Sequence, residues 1–186
     1  MEIGKTVEES QIENFNTIQN EVKTNEINTK EKSIDNTTNK EKIEEKVEKI
    51  PDPTFIIPVE GEVIKEFSKD NLIYSQTLDE WVTHNGIDIK ADKATIVKSS
   101  ANGKVTAIKN DPRYGITIII EHDNGYETRY SNLLTAEFVN VGEKVEQGQT
   151  IGTVGNTGTF EVLDDSHLHF EVLKDSEYLD PSLIIH

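Results

Sequence analysis

Cysteine is absent from the 186-residue chain. That removes disulfides, thiolate metal sites and cysteine nucleophiles, and leaves the redox compartment open. Positive charge is scarce: 19 Lys and Arg stand against 35 Asp and Glu, a formal net charge of −16. A nucleic-acid binder needs a basic face to displace counterions, and a polybasic membrane-surface module needs one to meet anionic lipid, so composition argues against both classes. Long apolar runs are missing as well. None approaches the roughly 20 residues of a membrane span, and no basic stretch followed by an apolar one opens the chain as in a secretory signal. Proline is rare, five in all, yet Pro51, Pro53 and Pro58 fall within eight positions of one another and mark a boundary.

The two sides of that boundary differ in physics. Residues 1–50 hold 12 acids and 8 bases, no proline, one glycine and a single aromatic, Phe15. Such a segment buries too little apolar surface to offset its ordering entropy, which makes an acidic, disordered linker the expectation. Ile3, Val7, Phe15, Ile18 and Val22, and again Ile43, Val47 and Ile50, fall near helical spacing and mark weak helices that could form on a partner. As a flexible coil, 50 residues span roughly 40 Å. Residues 51–186 read instead as one β domain. Val105–Ile108 and Ile116–Ile120 are β-branched runs around Asn110-Asp111-Pro112. Asp123-Asn124-Gly125 punctuates the next pair, and Asn-Gly supplies the positive φ angles of a tight hairpin. Gly142, Gly148, Gly152, Gly155 and Gly158 then separate very short apolar runs. The expected fold is a compact all-β, antiparallel barrel or sandwich, with one short helical stretch near Leu78–Trp81.

Five histidines are the main carriers of chemistry. His84 and Asp88 flank Asn85-Gly86. Four residues apart on a straight strand is roughly 13 Å, too far to share one metal, but Asn85-Gly86 is a bend signal. An imidazole with a carboxylate suits zinc; a surface turn with a fortuitous His and Asp is the plain alternative. In His167-Leu168-His169-Phe170-Glu171-Val172 alternation is strict. Leu168, Phe170 and Val172 face the core, while His167, His169 and Glu171 share the other face, the two imidazoles roughly 7 Å apart at the backbone. Two His and one Asp with a further His nearby match the plan of a catalytic zinc, three ligands and an open position. An ordinary exposed strand face is the alternative here. Glu171 is placed to orient one ring, with an exposed strand carboxylate as an equal alternative. His122, beside a hairpin turn, is expected to be exposed, and Trp81 to pack over the barrel end near the metal.

These motifs resemble the lysostaphin/LytM group of zinc metallopeptidases, which cut peptide crosslinks in bacterial cell walls. The resemblance covers roughly residues 58–184 and includes His84-Asn85-Gly86-Ile87-Asp88-Ile89, Val141-Gly142-Glu143-Lys144-Val145, Gly148-Gln149-Thr150-Ile151-Gly152 and the His167–Val172 run. It implies that His84, Asp88 and His169 are zinc ligands and that His167 is a catalytic histidine. Two departures accompany it. Where active members carry Tyr-x-His-Leu, this chain has Tyr130-Ser131-Asn132-Leu133. Asn132 stands at the position of the second catalytic His and can neither accept a proton nor become cationic. Asn156-Thr157-Gly158 is also followed by a lengthened Thr159–Ser166 segment before His167.

The stretch Tyr74–His84, and Phe160-Glu161-Val162, resemble the sporulation branch of the group, the SpoIIQ type. That implies a domain anchored in the forespore membrane by an N-terminal helix outside this chain, facing the space between forespore and mother-cell membranes. It further implies a SpoIIIAH-type mother-cell partner bound in an intermembrane complex or channel. The expected function is thus a degenerate, zinc-binding, partner-docking module. The alternative is an active zinc endopeptidase acting on peptidoglycan crosslinks. A third reading, a lipoyl carrier suggested by Asp92-Lys93-Ala94, leaves the histidine motifs unexplained.

Overall fold

The structure, a computed structural model, describes residues 50–186. The acidic segment of residues 1–50 and its helical spacings lie outside the described residues, apart from Ile50. Twelve strands follow: β1 (Glu62–Lys65), β2 (Ser68–Ser75), β3 (Glu80–His84), β4 (Ile87–Lys90), β5 (Ile96–Lys98), β6 (Gly103–Asp111), β7 (Gly115–Glu121), β8 (Tyr126–Thr135), β9 (Lys144–Val145), β10 (Thr150–Val154), β11 (His167–Lys174) and β12 (Glu177–Leu179). Every pairing between strands is antiparallel. The main sheet runs β1-β4-β11-β8-β7-β6-β9, with β12 beside β11 and β10 joining β8 to β5, while β2 and β3 form a separate hairpin. This is the all-β, antiparallel architecture that the alternation and turn spacing lead one to expect.

The core is filled from the middle of the sheet. Ile87 and Ile89 of β4, Ile118 and Ile120 of β7, Tyr130 and Leu133 of β8, and Leu168, Phe170 and Val172 of β11 are buried. Each such side chain contributes about 1.5–3 kcal/mol by leaving water. The β-branched run Ile116–Ile120 fits a pleated strand with both faces covered. Its partner β6 extends past Asn110, so the turn falls on Pro112–Tyr114 rather than on Asn110-Asp111-Pro112. At the next hairpin Asn124 and Gly125 both have positive φ, 56° and 74°, as the Asn-Gly pair demands.

Three expectations are corrected. No helix forms near Leu78–Trp81: residues 76–79 make the turn of the β2–β3 hairpin, and Trp81 continues as strand. Trp81 does not pack over the metal site. It is 65% exposed and leans edge-on against Tyr74, ring centroids 5.7 Å apart. His122 is buried rather than exposed. Its Nδ1 pairs with the Asn102 carbonyl at 2.7 Å and its Nε2 with Thr128 Oγ1 at 2.8 Å, and Phe55 meets the ring edge-on. Burial pushes its pKa down. The turn after His122 sets the backbone on the surface, but the ring folds inward onto two polar partners that local sequence does not reveal.

The central strand β11 carries the largest surprise. Its core-facing residues are buried as expected, but His167, His169 and Glu171 on the opposite face are buried too. That face is roofed by the 159–166 segment and by Tyr114, which stacks on His169 with ring centroids 4.4 Å apart and planes 9° from parallel.

Candidate metal centre

Strand register brings the first two groups together. His169 lies opposite Asp88 across the β4–β11 ladder, and opposite Ser131 on the β8 side. Residues directly opposite share a face with Cβ atoms about 5 Å apart. An imidazole and a carboxylate 81 residues apart in sequence therefore meet, with Nδ1 to Oδ1 at 2.8 Å. His84 arrives differently. It ends β3, and Asn85-Gly86 bends the chain into β4. A Cβ at Gly86 would stand 2.4 Å from the Phe170 carbonyl oxygen, so only glycine lets the bend lie this close to β11. The bend folds His84 over its neighbour: Nε2 is 3.2 Å from Asp88 Oδ1 and 3.2 Å from His169 Nδ1.

The outer ring nitrogens define what points inward. His84 Nδ1 is 2.9 Å from the Glu66 carbonyl, and His169 Nε2 is 3.3 Å from Glu171 Oε1. Both partners are acceptors, so those nitrogens carry the protons. In the neutral rings, His84 Nε2 and His169 Nδ1 then present lone pairs toward each other and toward the Asp88 carboxylate. Three converging lone pairs call for a cation. Their separations of 2.8–3.2 Å approach the edge of about 3.3 Å expected between tetrahedral ligands at 2.0–2.1 Å from zinc. Without a metal, the same demand falls on a proton. Burial disfavours charge on His169, but Asp88 and Glu171 hold its pKa up at about 10. Burial likewise opposes the Asp88 charge, yet hydrogen bonds from His169 and His84 keep that carboxyl well below its usual range. Among the described residues Asp88 Oδ2 has no aligned hydrogen-bond partner, although Lys65 Nζ approaches within 3.1 Å as an ion pair.

A fourth group, the second carboxylate, joins this set. Glu161, from the lengthened segment, places Oε1 3.9 Å from both His84 Nε2 and His169 Nδ1. His84, Asp88, Glu161 and His169 are all buried and each offers a ligand atom, all within 4.8 Å of one another. The arrangement fits a metal ion. Lys65 binds the rim: its Nζ is 3.5 Å from Glu161 and 2.6 Å from Asp164. Sequence reasoning missed Glu161 and Lys65 as site residues. A lone acid in a loop and a lone lysine in an edge strand carry no motif, and Glu161 stood out only through the resemblance of Phe160-Glu161-Val162.

The side of the site around His167 and Asn132 is built otherwise. His167 Nδ1 donates to the Asp165 carbonyl at 2.6 Å, and its Nε2 lies 3.3 Å from Glu161 Oε2 and 3.3 Å from Asn132 Nδ2. Asn132 Oδ1 accepts from the Thr157 and Gly158 amides at 2.7 and 2.9 Å, and Nδ2 also donates to the His167 carbonyl at 3.1 Å. Its amide group is saturated, clamping β8 to the 157–158 turn and to β11. Its backbone is left-handed, φ 63°, where asparagine is tolerated well.

A cleft of about 200 Å³ opens beside the centre, lined by Lys65, Tyr74, Leu78, His84, Tyr114 and Glu161 among others. Burial, with the nearby Glu171 and Glu161 carboxylates, pushes the Tyr114 hydroxyl up to about 12, so it remains a donor. Asp88 and His169 are absent from the cleft wall; Glu161 stands on that wall.

The model of peptidase family M23 matches residues 82–181, a span that holds both histidine motifs, Asp88, Asn132 and Glu161. The chain belongs to peptidase family M23. Among relatives of this M23 chain, the peptidoglycan DD-endopeptidase ShyA of Vibrio cholerae serotype O1 is 40% identical over 90 residues, 48% of this chain and 20% of ShyA. The chain thus spans about a fifth of that relative. Among solved structures, a chain of the SpoIIQ–SpoIIIAH pore-forming complex superposes with a TM-score of 0.63 at 26% identity, covering 72% of this chain and 91% of that one. A zinc-containing peptidase from Vibrio cholerae superposes with a TM-score of 0.56 at 30% identity, covering 68% and 39%.

Proposed function

We propose that this M23 domain is a zinc site of the peptidoglycan-endopeptidase type, directed at cell-wall crosslink peptides and slow as folded. The observation that carries the reading is the convergence of His84 Nε2, Asp88 Oδ1 and His169 Nδ1 at 2.8–3.2 Å. The sequence relative ShyA, a DD-endopeptidase, and the zinc content of the Vibrio cholerae peptidase support it. His84, Asp88 and His169 would hold the metal. Bound there, zinc would supply Lewis acidity toward a peptide carbonyl. Glu66 and Glu171 fix the two rings in the binding tautomer. His167 is the remaining proton carrier: burial works against its charge, but Glu161 and Asp88 raise its pKa. Asn132 cannot share that work, and losing one acid–base group costs about 10²–10⁴ in rate. Catalysis is therefore zinc-dependent and weak. The test is metal analysis with muropeptide analysis of digested peptidoglycan, using His84→Ala as control. One zinc per chain and slow cleavage that His84→Ala abolishes are expected; a zinc-free protein, or no cleavage at high enzyme concentration, overturns the reading.

A second reading has its own support. The near-complete coverage of a chain of the SpoIIQ–SpoIIIAH complex and the saturated Asn132 amide favour a sporulation module with little hydrolysis. It would be anchored in the forespore membrane, would face the mother-cell membrane and would dock a SpoIIIAH-type protein there. Zinc would then act by stabilising the fold that docks. Tight binding to the soluble domain of such a partner, weakened with lowered melting temperature in His84→Ala, is the expected result. Absence of binding removes this reading and leaves the first.

A further inference from the structure

We propose that Glu161 is a fourth protein ligand that closes the metal site, which makes the 159–166 segment a built-in plug. The inference rests on the zinc site of His84, Asp88 and His169 proposed above and names how that site is regulated.

The position of the carboxylate comes first. Its Oε1 is 3.9 Å from both His84 Nε2 and His169 Nδ1, only about 0.6 Å beyond a tetrahedral ligand edge. Rotation of one glutamate side chain covers that distance. The burial pattern of the segment is the second observation. Phe160, Val162 and Leu163 are 38%, 53% and 66% exposed, while Glu161 between them is 5% exposed. A loop that buries its acid and exposes its apolar residues reverses the hydrophobic preference. Burying a carboxylate is costly unless counter-charges meet it; Lys65 Nζ and His167 Nε2 approach Glu161 at 3.5 and 3.3 Å, and its Oε1 also faces the converging lone pairs of the site, where a cation sits.

The segment is also held in place. Thr159 Oγ1 donates to the Pro112 carbonyl at 2.6 Å, and the Phe160 amide to the Arg113 carbonyl at 3.1 Å. The Leu163 amide donates to Thr77 Oγ1 at 3.2 Å, Lys65 grips Asp164 at 2.6 Å, and Ser166 Oγ donates to the Gly155 carbonyl at 2.9 Å. Both ends and the middle are tied to different parts of the domain. Glu161 therefore stands between the cleft and the Asp88–His169 pair as an anchored group. Four protein ligands are the plan of a structural zinc site, and three with an open position that of a catalytic one. Glu161 converts the second plan into the first, and substrate gains access only when the segment moves.

The test loads the full chain with Co²⁺, whose visible spectrum reports changes in coordination, and titrates azide as a small exogenous ligand. Wild type is expected to bind one Co²⁺ with a spectrum indifferent to azide. Glu161→Gln is expected to bind one Co²⁺ and to respond to azide, with zinc affinity, measured by chelator competition, weaker by about 10–100-fold. A wild-type spectrum that shifts with azide overturns the role of Glu161 and leaves the three-ligand site standing. Equal zinc affinity in the two proteins does the same. Failure of wild type to bind either metal overturns the site itself. The wild-type titration decides the matter even if the variant misfolds.

Discussion

The two halves of the site differ in how they are held. In the ligand half, backbone geometry does the placing: Asp88 and His169 face each other through the β4–β11 register, and Gly86 lets the bend deliver His84. In the half around His167 and Asn132, side-chain hydrogen bonds do the placing. Asn132 binds the 157–158 turn and β11 together, and Glu161 and Lys65 bring the roof of the site down onto it. Groups fixed by register stay in place whatever their neighbours do. Groups fixed by side chains can be exchanged for others that hold the fold instead of moving protons. The ligand half here forms a cluster that fits a metal ion, while Asn132 in the other half is fully engaged in hydrogen bonds that hold the fold.

The largest effect expected from breaking this comparison is at His169. His169→Ala removes one ligand and leaves Asp88, fully buried, with Lys65 as its nearest cation. Breaking a buried charge pair costs about 3–5 kcal/mol. Stoichiometric zinc is lost, and denaturant midpoints fall by a corresponding amount. Retention of one zinc per chain in metal analysis would remove His169 from the ligand half.

Asn132 tests the other half. Asn132→Ala leaves the Thr157 and Gly158 amides without their acceptor, at about 2–4 kcal/mol for two under-satisfied groups. Asn132→His cannot accept from both amides, so it loses similar stability, and peptidoglycan hydrolysis rises less than tenfold. A stable Asn132→His protein with a gain of about 10²–10⁴ in rate would show that this position still belongs to catalysis. Lys65→Met should do less, about 1–2 kcal/mol, because Lys65 and Asp164 retain some access to water and because the histidines still face the buried Asp88 and Glu161 carboxylates that lose it. Its signature is local: faster hydrogen exchange over residues 159–166 with the sheet unchanged. Uniform loss of protection would mean that Lys65 supports the whole domain.

Legibility followed the same division. The all-β fold, the Asn124-Gly125 turn and the facing of β11 follow from short-range alternation and turn chemistry. His84, Asp88, His167 and His169 stood out because their spacing is itself a motif. What lay hidden depends on long-range closure. The burial of the His167–Glu171 face comes from a roof that contributes no pattern of its own. The inward turn of His122 depends on Asn102 and Thr128. Glu161 reaches the site from a loop whose composition reads as ordinary, and only its burial sets it apart. Trp81, expected over the barrel end near the metal, lies on a two-stranded hairpin outside the main sheet.

Trp81 supplies the smallest expected effect and the sharpest contrast with the centre. Its side chain is 65% exposed, and its aromatic neighbour is Tyr74, whose hydroxyl donates to Asp79. Trp81→Ser removes one edge-on ring pair at the surface, and exposed substitutions of this kind stay within about 0.5 kcal/mol. Zinc stoichiometry and the denaturant midpoint should both match wild type within error. His84 is only three residues further along β3, so the result also asks how far the hairpin strand and the ligand are mechanically coupled. The backbone register Ser68–His84 at one end and Tyr74–Trp81 at the other holds β3 without the indole, and His84 is anchored separately through the Glu66 carbonyl. Two attachments independent of the ring leave nothing for Trp81 to transmit. A loss of more than about 2 kcal/mol, or of zinc, would mean that the indole packs toward the metal after all, and the site would then extend across the hairpin.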